Sequence, residues 1–469
     1  MTASQRKALR SAVRCASTIP GPAPQPIAGN FFNFDVEALF QKSPIHRVPT
    51  YERFGDIWQV AIFGHKLVFV RDVDMIKEVV TSPAFAVADI ISKPLAFHFP
   101  ATMFSAGPED WARMRKVIAR ALQNYKLDPL VPSMVDICER SFAGVHQGSI
   151  VNVQDHSARI TFDAFHRFAY NVDFNAVQGG GAEVLQAALT YGYALGERIR
   201  LPVEFLWSLP LPANKRIDAA ADILKAQARS ICVERQAALS RGEEPVGVFE
   251  RVMAAGAGEE ADGKLTEREV IDNVSSFFFA AFDTTSSTAA MALNHMATHP
   301  EVQEELSESL QGVDISSLSA KEIGQLPFLN AVVNEVNRFT PTAASYVRTA
   351  KEDVDLAGFR IAKGSNVSLD WSCAAQLPEN WSGPSTTDFA VFNPHRWLDT
   401  KPHKLAFNPF GFGPRMCAGK SVATLELQMI LAYAAQNLRL EPDPSRPMEY
   451  CAKLVFGPKD GTWLAVHRR

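Results

Sequence analysis

One stretch constrains this chain more than any other: the run from Thr266 to Pro300, which reads as a single very long helix. Thr266 followed by Glu269 is a capping box, and the helical pattern then continues to His299. Pro300 stops it, because proline lacks an amide hydrogen and clashes with the preceding turn. About 35 residues of helix span roughly 50 Å. The middle, SSFFFAAFDTTSSTAA, is apolar nearly all round, so it must be covered on every side. Whatever else the chain folds into has to wrap this rod. Yet Asp283, Thr284 and Thr285 interrupt the buried middle. Burying an acid and two hydroxyls without partners costs a few kcal/mol, so the notch is expected to face a cavity or water. The Thr284 hydroxyl is in reach of the Ala280 carbonyl one turn back, a bond that bends or widens a helix locally. A row of satisfied core hydroxyls would give the same letters, so the notch needs a second signal.

The remaining sequence supplies the wrapping. Helical period recurs over 112–123, 130–142, 157–170, 219–239, 301–310, 328–338 and 422–437. Alternating apolar residues at 57–63 and 66–70 flank Gly64 and read as a hairpin. Strand signals return at 353–369, with Gly358 and Gly364 at turns, and at 454–467, with Gly457 and Gly461. The expected class is mainly α with small β-sheets, an α+β chain. With 469 residues, 47% hydrophobic and 21% charged, it can bury a large core. No long Ser/Gly or one-signed linker divides it, so 31–469 is expected to be one domain. Alternating Pro20, Pro22, Pro24 and Pro26 make 20–30 a stiff, extended hinge.

A net charge of −4 offers no basic field for a phosphate backbone, which argues against nucleic acid as a partner. The leader, 1–19, carries Arg6, Lys7, Arg10 and Arg14 and no acid, and falls far short of the roughly 20 apolar residues of a membrane span. No transmembrane anchor is expected. The leader's composition suits a mitochondrial transit peptide and equally a frayed terminus, so the expected compartment is intracellular, cytosolic or mitochondrial. Residues 201–212, LPVEFLWSLPLP, form an apolar loop that would contact a membrane surface or line a substrate entrance.

The second signal comes from cysteine. Cys15, Cys138, Cys232, Cys373, Cys417 and Cys451 are dispersed, with no C-x-x-C pair for zinc, an iron–sulfur cluster or a dithiol. Only Cys417 has an elaborate setting, FNPFGFGPRMCAGK. Arg415 lies two residues before it, Gly413 and Gly419 act as turn formers, and helical pattern resumes at Val422. That puts the sulfur at or just before a helix N-terminus, where backbone amides and the helix dipole favour a thiolate.

Phe410, Gly413, Arg415, Cys417 and Gly419 match F-x-x-G-x-R-x-C-x-G, and here the sequence resembles the cytochrome P450 family of haem-thiolate monooxygenases. Independent positions extend the resemblance from residue 20 to the end. Residues 280–285, AAFDTT, resemble the family's oxygen-activation segment, with Ala281 where glycine is usual. Glu335 and Arg338 form E-x-x-R on one helix face, a spacing that a surface ion pair would also explain. FNPHRW supplies Arg396 for the family's buried Glu–Arg–Arg triad, with His395 replacing the usual glutamate. Trp111, Arg115, Arg348 and Arg415 resemble the haem-propionate ligands, and guanidinium forks suit carboxylates.

The resemblance implies a haem b (iron protoporphyrin IX) held between the central helix and the Cys417 loop, with Cys417 as axial metal ligand. Thiolate donation favours O–O cleavage. It also implies Asp283 as proton source, Thr284 as relay, and insertion of one oxygen atom of O2 into a lipophilic substrate. No flavin or iron–sulfur pattern occurs, so NAD(P)H electrons are expected through a separate reductase or ferredoxin, with Lys116, Arg120, Lys404 and Lys420 as candidate docking charges. Solvated surface would account for each of those four equally well. Pocket candidates by family position include Phe97, Phe99 and Phe104, then Phe278, Phe279 and Phe282 on the central helix, Ala344 within 343–347, and Val455 and Phe456. Some members of the family rearrange or dehydrate peroxides without a redox partner, as isomerases or dehydratases, and these often lack the acid–threonine pair; a peroxygenase lies between the two.

Overall fold

Glu267–Thr298 is one continuous helix of 32 residues. The Thr266 hydroxyl accepts from the Glu269 amide at 3.2 Å, and the Glu269 carboxylate accepts from the Thr266 amide at 2.8 Å, closing the capping box read from the sequence. The structure is a computed structural model that describes residues 18–26, 28–31, 47–62, 64–123, 126–200, 203–255, 265–383 and 388–469. The leader up to residue 17, Cys15 and residues 201–202 of the apolar loop lie outside the described residues.

The longer elements run in the following order. The first part contains Val48–Phe54 (α1), Ile57–Ile62 (β1), His65–Val70 (β2), Val73–Thr81 (α2), Phe85–Val87 (β3) and Asp89–Ala96 (α3). Next come Pro108–Gln123 (α4), Leu130–Phe142 (α5), Ser149–Asn152 (β4), Val153–Tyr170 (α6), Ala182–Arg200 (α7), Pro212–Ser240 (α8) and the long helix (α9). Pro300–Ser309 (α10), Pro327–Phe339 (α11), Tyr346–Ala350 (β5), Val354–Leu356 (β6), Phe359–Ile361 (β7) and Asn366–Leu369 (β8) follow. Lys420–Asn437 (α12), Leu438–Pro442 (β9), Tyr450–Ala452 (β10), Phe456–Pro458 (β11) and Trp463–Arg468 (β12) complete the chain. Internal contacts divide it into two units, 1–89 with 337–416, and 90–336 with 417–469.

The first unit is built on a five-stranded sheet in the order β1-β2-β8-β5-β3, antiparallel except for the β2–β8 pair. Ile62 pairs with His65, and Gly64 between them sits at φ +82°. Ala357 and Gly358, both at positive φ, make the turn between β6 and β7, and the Asp355 carboxylate accepts from the Gly358 amide at 2.8 Å. Val68, Val70, Ile76, Val79, Leu369 and Trp371 form the core under this sheet. The proline segment is more than a hinge. The Pro20 carbonyl accepts from the Gln59 amide at 2.8 Å, and the Asn30 side chain accepts from the Ala61 amide at 2.9 Å, which straps the segment along β1. A Cβ on Gly21 would meet the Gln59 carbonyl oxygen at 2.1 Å, so only glycine permits that approach.

The second unit wraps α9. Its polar first half and apolar middle are both covered: α6 packs Phe162 and His166 against Phe278 and Phe282, with Phe162–Phe282 edge-on at 5.4 Å and His166–Phe278 at 4.6 Å. Helices α7, α8 and α12 pack on other parts of α9. Strands β9-β12-β4 form an antiparallel sheet, and β10–β11 a hairpin. The sequence expectation named seven further helices; it missed α1, α2, α3 and Val248–Ala255, and also the longer α7, whose two glycines, Gly192 and Gly196, weaken its helical signature. Residues 201–212 were read as a loop, and within them Glu204–Trp207 makes one helical turn, with Trp207 buried while Phe205 is 69% exposed. No helix among the described residues is long and apolar enough to cross a membrane.

Candidate active site

Within the second unit, the notch of α9 has the internal bond expected of it: the Thr284 hydroxyl donates to the Ala280 carbonyl at 3.2 Å. The Thr285 hydroxyl donates likewise to Ala281 at 3.2 Å, and Thr285 is buried. Asp283 and Thr284 keep open surface. Protein nevertheless surrounds Asp283, and that burial pushes its carboxyl up to about 6, while the charge of Lys453 acts to lower it. Open surface deep among protein atoms means that Asp283 lines an internal recess. Its carboxylate accepts no hydrogen bond among the described residues.

The helix face that carries Asp283 also carries Phe279 one turn earlier. Phe279 joins Phe99 and Tyr191 in an aromatic cluster, with ring centroids 4.9 to 6.3 Å apart. The other pocket candidates separate from it. Phe278 and Phe282 turn toward α6 and belong to the core there. Phe104 packs on Phe277 at 5.3 Å, Phe456 stacks on Tyr450 at 5.2 Å, and Phe97 is exposed beneath the Arg198 guanidinium. The segment carrying Phe99 and Phe104 is fixed by polar residues of α9 that the sequence reading passed over. The Asn273 amide oxygen accepts from the Met103 amide at 3.0 Å and the Asp272 carboxylate from the Ala101 amide at 2.9 Å, while Thr102 and Ser276 hydroxyls meet at 2.8 Å. These bonds explain why polar side chains sit in the buried first half of the rod.

Cys417 lies three residues before α12, whose N-cap is Gly419. Among the described cysteines, Cys138 and Cys373 are buried, Cys232 and Cys451 are half-buried, and Cys417 alone is exposed. Burial pushes the Cys373 thiol up to about 12 and keeps it inert. The Cys417 thiol is also pushed up by surrounding protein, but the Gly419 backbone amide, Arg115 and Lys420 all act in the other direction, toward thiolate. Arg115, on α4 one turn after Trp111, is itself half-buried and feels Cys417. An accessible sulfur with donors and cations arranged to favour its anion fits an iron ligand.

In the first unit, the loop before Cys417 carries Phe410, Gly413 and Arg415. Gly411 and Gly413 adopt φ +86° and +62°, and the Tyr346 hydroxyl pins the loop by donating to the Pro409 carbonyl at 2.7 Å. Ala344, the remaining pocket candidate, is half-buried just before β5, and its carbonyl accepts from the Ser372 amide at 3.3 Å. Arg348, on β5, stands close enough to Arg415 that burial first, and then this like charge, lowers Arg415 to about 10. Two guanidinia brought together in a half-buried place suit a dianionic group such as a pair of propionates. Arg338 and Arg396 are both buried, each donating to backbone carbonyls of the 388–391 stretch, and Glu335 is buried on the same face of α11 as Arg338. His395 stays exposed beside them. Lys116, Arg120, Lys404 and Lys420 are exposed.

Comparison with known proteins agrees with this chemistry. The family model "Cytochrome P450" matches residues 19–465. A self-sufficient cytochrome P450 monooxygenase, CYP505E5 of Aspergillus kawachii, is 26% identical over 475 residues, spanning 97% of this chain and 43% of the relative. Cytochrome P450 3A5 of Homo sapiens is 24% identical over 472 residues, 96% of this chain and 91% of the relative. Leukotriene-B4 omega-hydroxylase 3 of Mus musculus is 27% identical over 388 residues, 78% of this chain and 72% of the relative. The chain spans less than half the length of the self-sufficient relatives it matches.

Proposed function

Since this chain belongs to the cytochrome P450 family, we propose that it is a haem-thiolate monooxygenase, its fold from 31 to 469 one domain, that inserts one oxygen atom of O2 into a lipophilic substrate. The observation that carries the reading is the pairing, in one chain, of the accessible Cys417 thiol in its complete motif with the intact Asp283–Thr284 notch. By the family's motif positions, Cys417 would ligate haem iron, and Trp111, Arg115, Arg348 and Arg415 would hold the propionates. When bound, haem supplies the activation of O2.

The chain's own residues then have distinct tasks. The Gly419 amide, Arg115 and Lys420 act on the Cys417 sulfur in the direction of its anion, against the burial that raises its thiol, and an iron ligand would need that anion. Asp283 can take up and release a proton, because burial raises its carboxyl to about 6, within reach of neutral pH. Thr284 offers a hydroxyl one residue on. Phe99, Tyr191 and Phe279 make a buried apolar cluster one turn along α9 from Asp283, which favours a lipophilic substrate there. Glu335, Arg338 and Arg396 support the fold rather than the reaction.

Electrons would come from NAD(P)H through a reductase or ferredoxin docked on exposed basic residues such as Lys116, Arg120, Lys404 and Lys420. Exposed Phe205, Leu209 and Leu211 would let the protein rest on a lipid surface. Turnover with NAD(P)H and reductase, set against turnover on hydroperoxide alone, tests the reading. Product only from hydroperoxide would instead make it a peroxygenase or a hydroperoxide isomerase or dehydratase. Spin-state shifts across fatty acids, sterols and terpenoids would then narrow the substrate.

A further inference from the structure

Where the segment after α3 meets α7 and α8, donors outnumber acceptors. His98 donates through Nε2 to the Asp218 carboxylate of α8 at 2.9 Å. Burial makes the imidazole less basic, and a neutral ring that donates through Nε2 has only Nδ1 left to accept. The Tyr191 hydroxyl and Arg198 Nη1, both on α7, crowd onto that one lone pair at 3.5 and 3.4 Å, longer than hydrogen bonds of full strength.

Arg198 is 5% exposed, and its other contacts are neutral: the Asn214 amide oxygen at 3.4 Å and the rings of Phe97 and Trp207, whose centroids lie 4.7 and 5.5 Å from the guanidinium carbon. No carboxylate forms an ion pair with it among the described residues, and Asp218, whose charge acts on it, is bonded to His98. A second cation, Lys225 of α8, stands half-buried 5.5 Å from the Phe99 ring centroid, also without an ion pair among the described residues. Asp272 feels the Lys225 charge, but its carboxylate accepts from the Ala101 amide at 2.9 Å. Both cations act on His98, which places them around the same spot. A buried guanidinium without a counter-ion is costly, and ring faces recover only part of that cost. What the spot lacks is acceptor oxygen carrying negative charge.

The deficit borders the apolar cluster. Phe99 follows His98 in the chain, and Tyr191 belongs to both groups. Helix α7 meets the notch at Gly192, where a Cβ would lie 3.6 Å from Asp283 Oδ2. From Tyr191 to Arg198 the helix rises about 10 Å.

We propose that Arg198 and Lys225, with the Tyr191 hydroxyl, form a carboxylate subsite. The substrate is then a lipophilic monocarboxylic acid, whose acid group binds there while its apolar body runs along Phe99, Tyr191 and Phe279 toward the Asp283–Thr284 notch. This names the substrate class of the monooxygenase reading and rests on it. The carbon that reaches the notch lies about two helical turns from the carboxyl group. Arg198 and Lys225 set specificity and take no part in the reaction.

The test is spectral titration of the haem-loaded full chain with palmitic acid and with abietic acid, one slender and one broad, each against its methyl ester. At least one acid should bind about tenfold or more tightly than its ester. Arg198→Met should abolish that preference by weakening the acid while leaving the ester unchanged, Arg198→Lys should restore part of it, and Lys225→Met should weaken the acid about threefold. Thermal stability of the ligand-free protein should hold or rise in Arg198→Met, because an uncompensated buried charge is removed. Phosphatidylserine vesicles should bind the parent and Arg198→Met alike, since the guanidinium is buried. Equal binding of acid and ester in the parent for both bodies, or an equal loss of both ligands in Arg198→Met, overturns the subsite. Vesicle binding lost in Arg198→Met would assign the charge to lipid headgroups and overturn it too. Failure of the monooxygenase reading would appear instead as a parent that prefers the acid yet shows no NAD(P)H turnover, so the two fail separately.

Discussion

Arg338 and Arg396 both donate to the carbonyl oxygen of Val391, each at 3.2 Å. Two guanidinia converge on one acceptor in a place where both are almost wholly buried. Such an arrangement is stable only if nearly every donor is satisfied, and the Asp388 and Phe389 carbonyls, Gln376 and the ring of Phe389 supply what Val391 cannot.

Arg396→Leu should therefore leave the Asp388 and Val391 carbonyls short of donors and cost roughly 3 kcal/mol or more. The expected result is a sharp loss of soluble haem-loaded protein, read by the ratio of haem to protein absorbance. Normal yield and loading would show that the fold does not depend on the buried Arg396 guanidinium.

Asn273 connects the central rod to the segment that carries Phe99. Asn273→Leu keeps the bulk but orphans the Met103 amide, and should lower the unfolding free energy by about 2 kcal/mol in urea titration. It should also weaken spectral binding of lipophilic ligands, because Phe99 loses its anchor. An unchanged unfolding midpoint would show that the loop does not depend on Asn273.

Asp283 makes a prediction about pH with a definite sign. Its folded carboxyl titrates near 6, above the ordinary 3.8, so the native state keeps the proton to higher pH than the unfolded chain does. Stability is lost as pH rises from about 4 to about 6 and the penalty is complete above that. Asp283→Asn, which cannot ionise, should thus be more stable than the parent above pH 6, by at most about 3 kcal/mol, and indistinguishable from it below pH 4. A gap that stays constant from pH 4 to 8 would mean that burial does not perturb this group.

Thr284→Ala removes the hydroxyl that bonds to Ala280. Haem binding should be unaffected, while a larger share of reducing equivalents ends as hydrogen peroxide instead of product. Tight coupling in this variant would take Thr284 out of the proton path.

Much of this was legible in the sequence for definite reasons. The long helix announced itself because a capping box and a proline bracket it, and the Thr284–Ala280 bond because side-chain reach along a helix is fixed by its pitch. Cys417 was legible because its motif is dense. Less visible were features that depend on tertiary approach. Helix α7 was hidden by its two glycines, of which Gly196 lets it press against the 450–458 hairpin. Phe282 looked like a pocket residue by position, but its face of α9 is one residue off from that of Asp283, and a rotation of about 100° per residue sends it into α6. The polar trio Asp272, Asn273 and Ser276 has no meaning until the loop 101–103 is laid against it.

The central claim is that the Cys417 sulfur, as thiolate, ligates haem iron, and the carbon monoxide difference spectrum of the reduced protein tests it most directly. The parent protein should give the red-shifted band of a thiolate-ligated haem, and Cys417→Ala should lose that band even where haem is retained. A parent spectrum typical of nitrogen ligation, or an unchanged thiolate band in Cys417→Ala, would contradict the account.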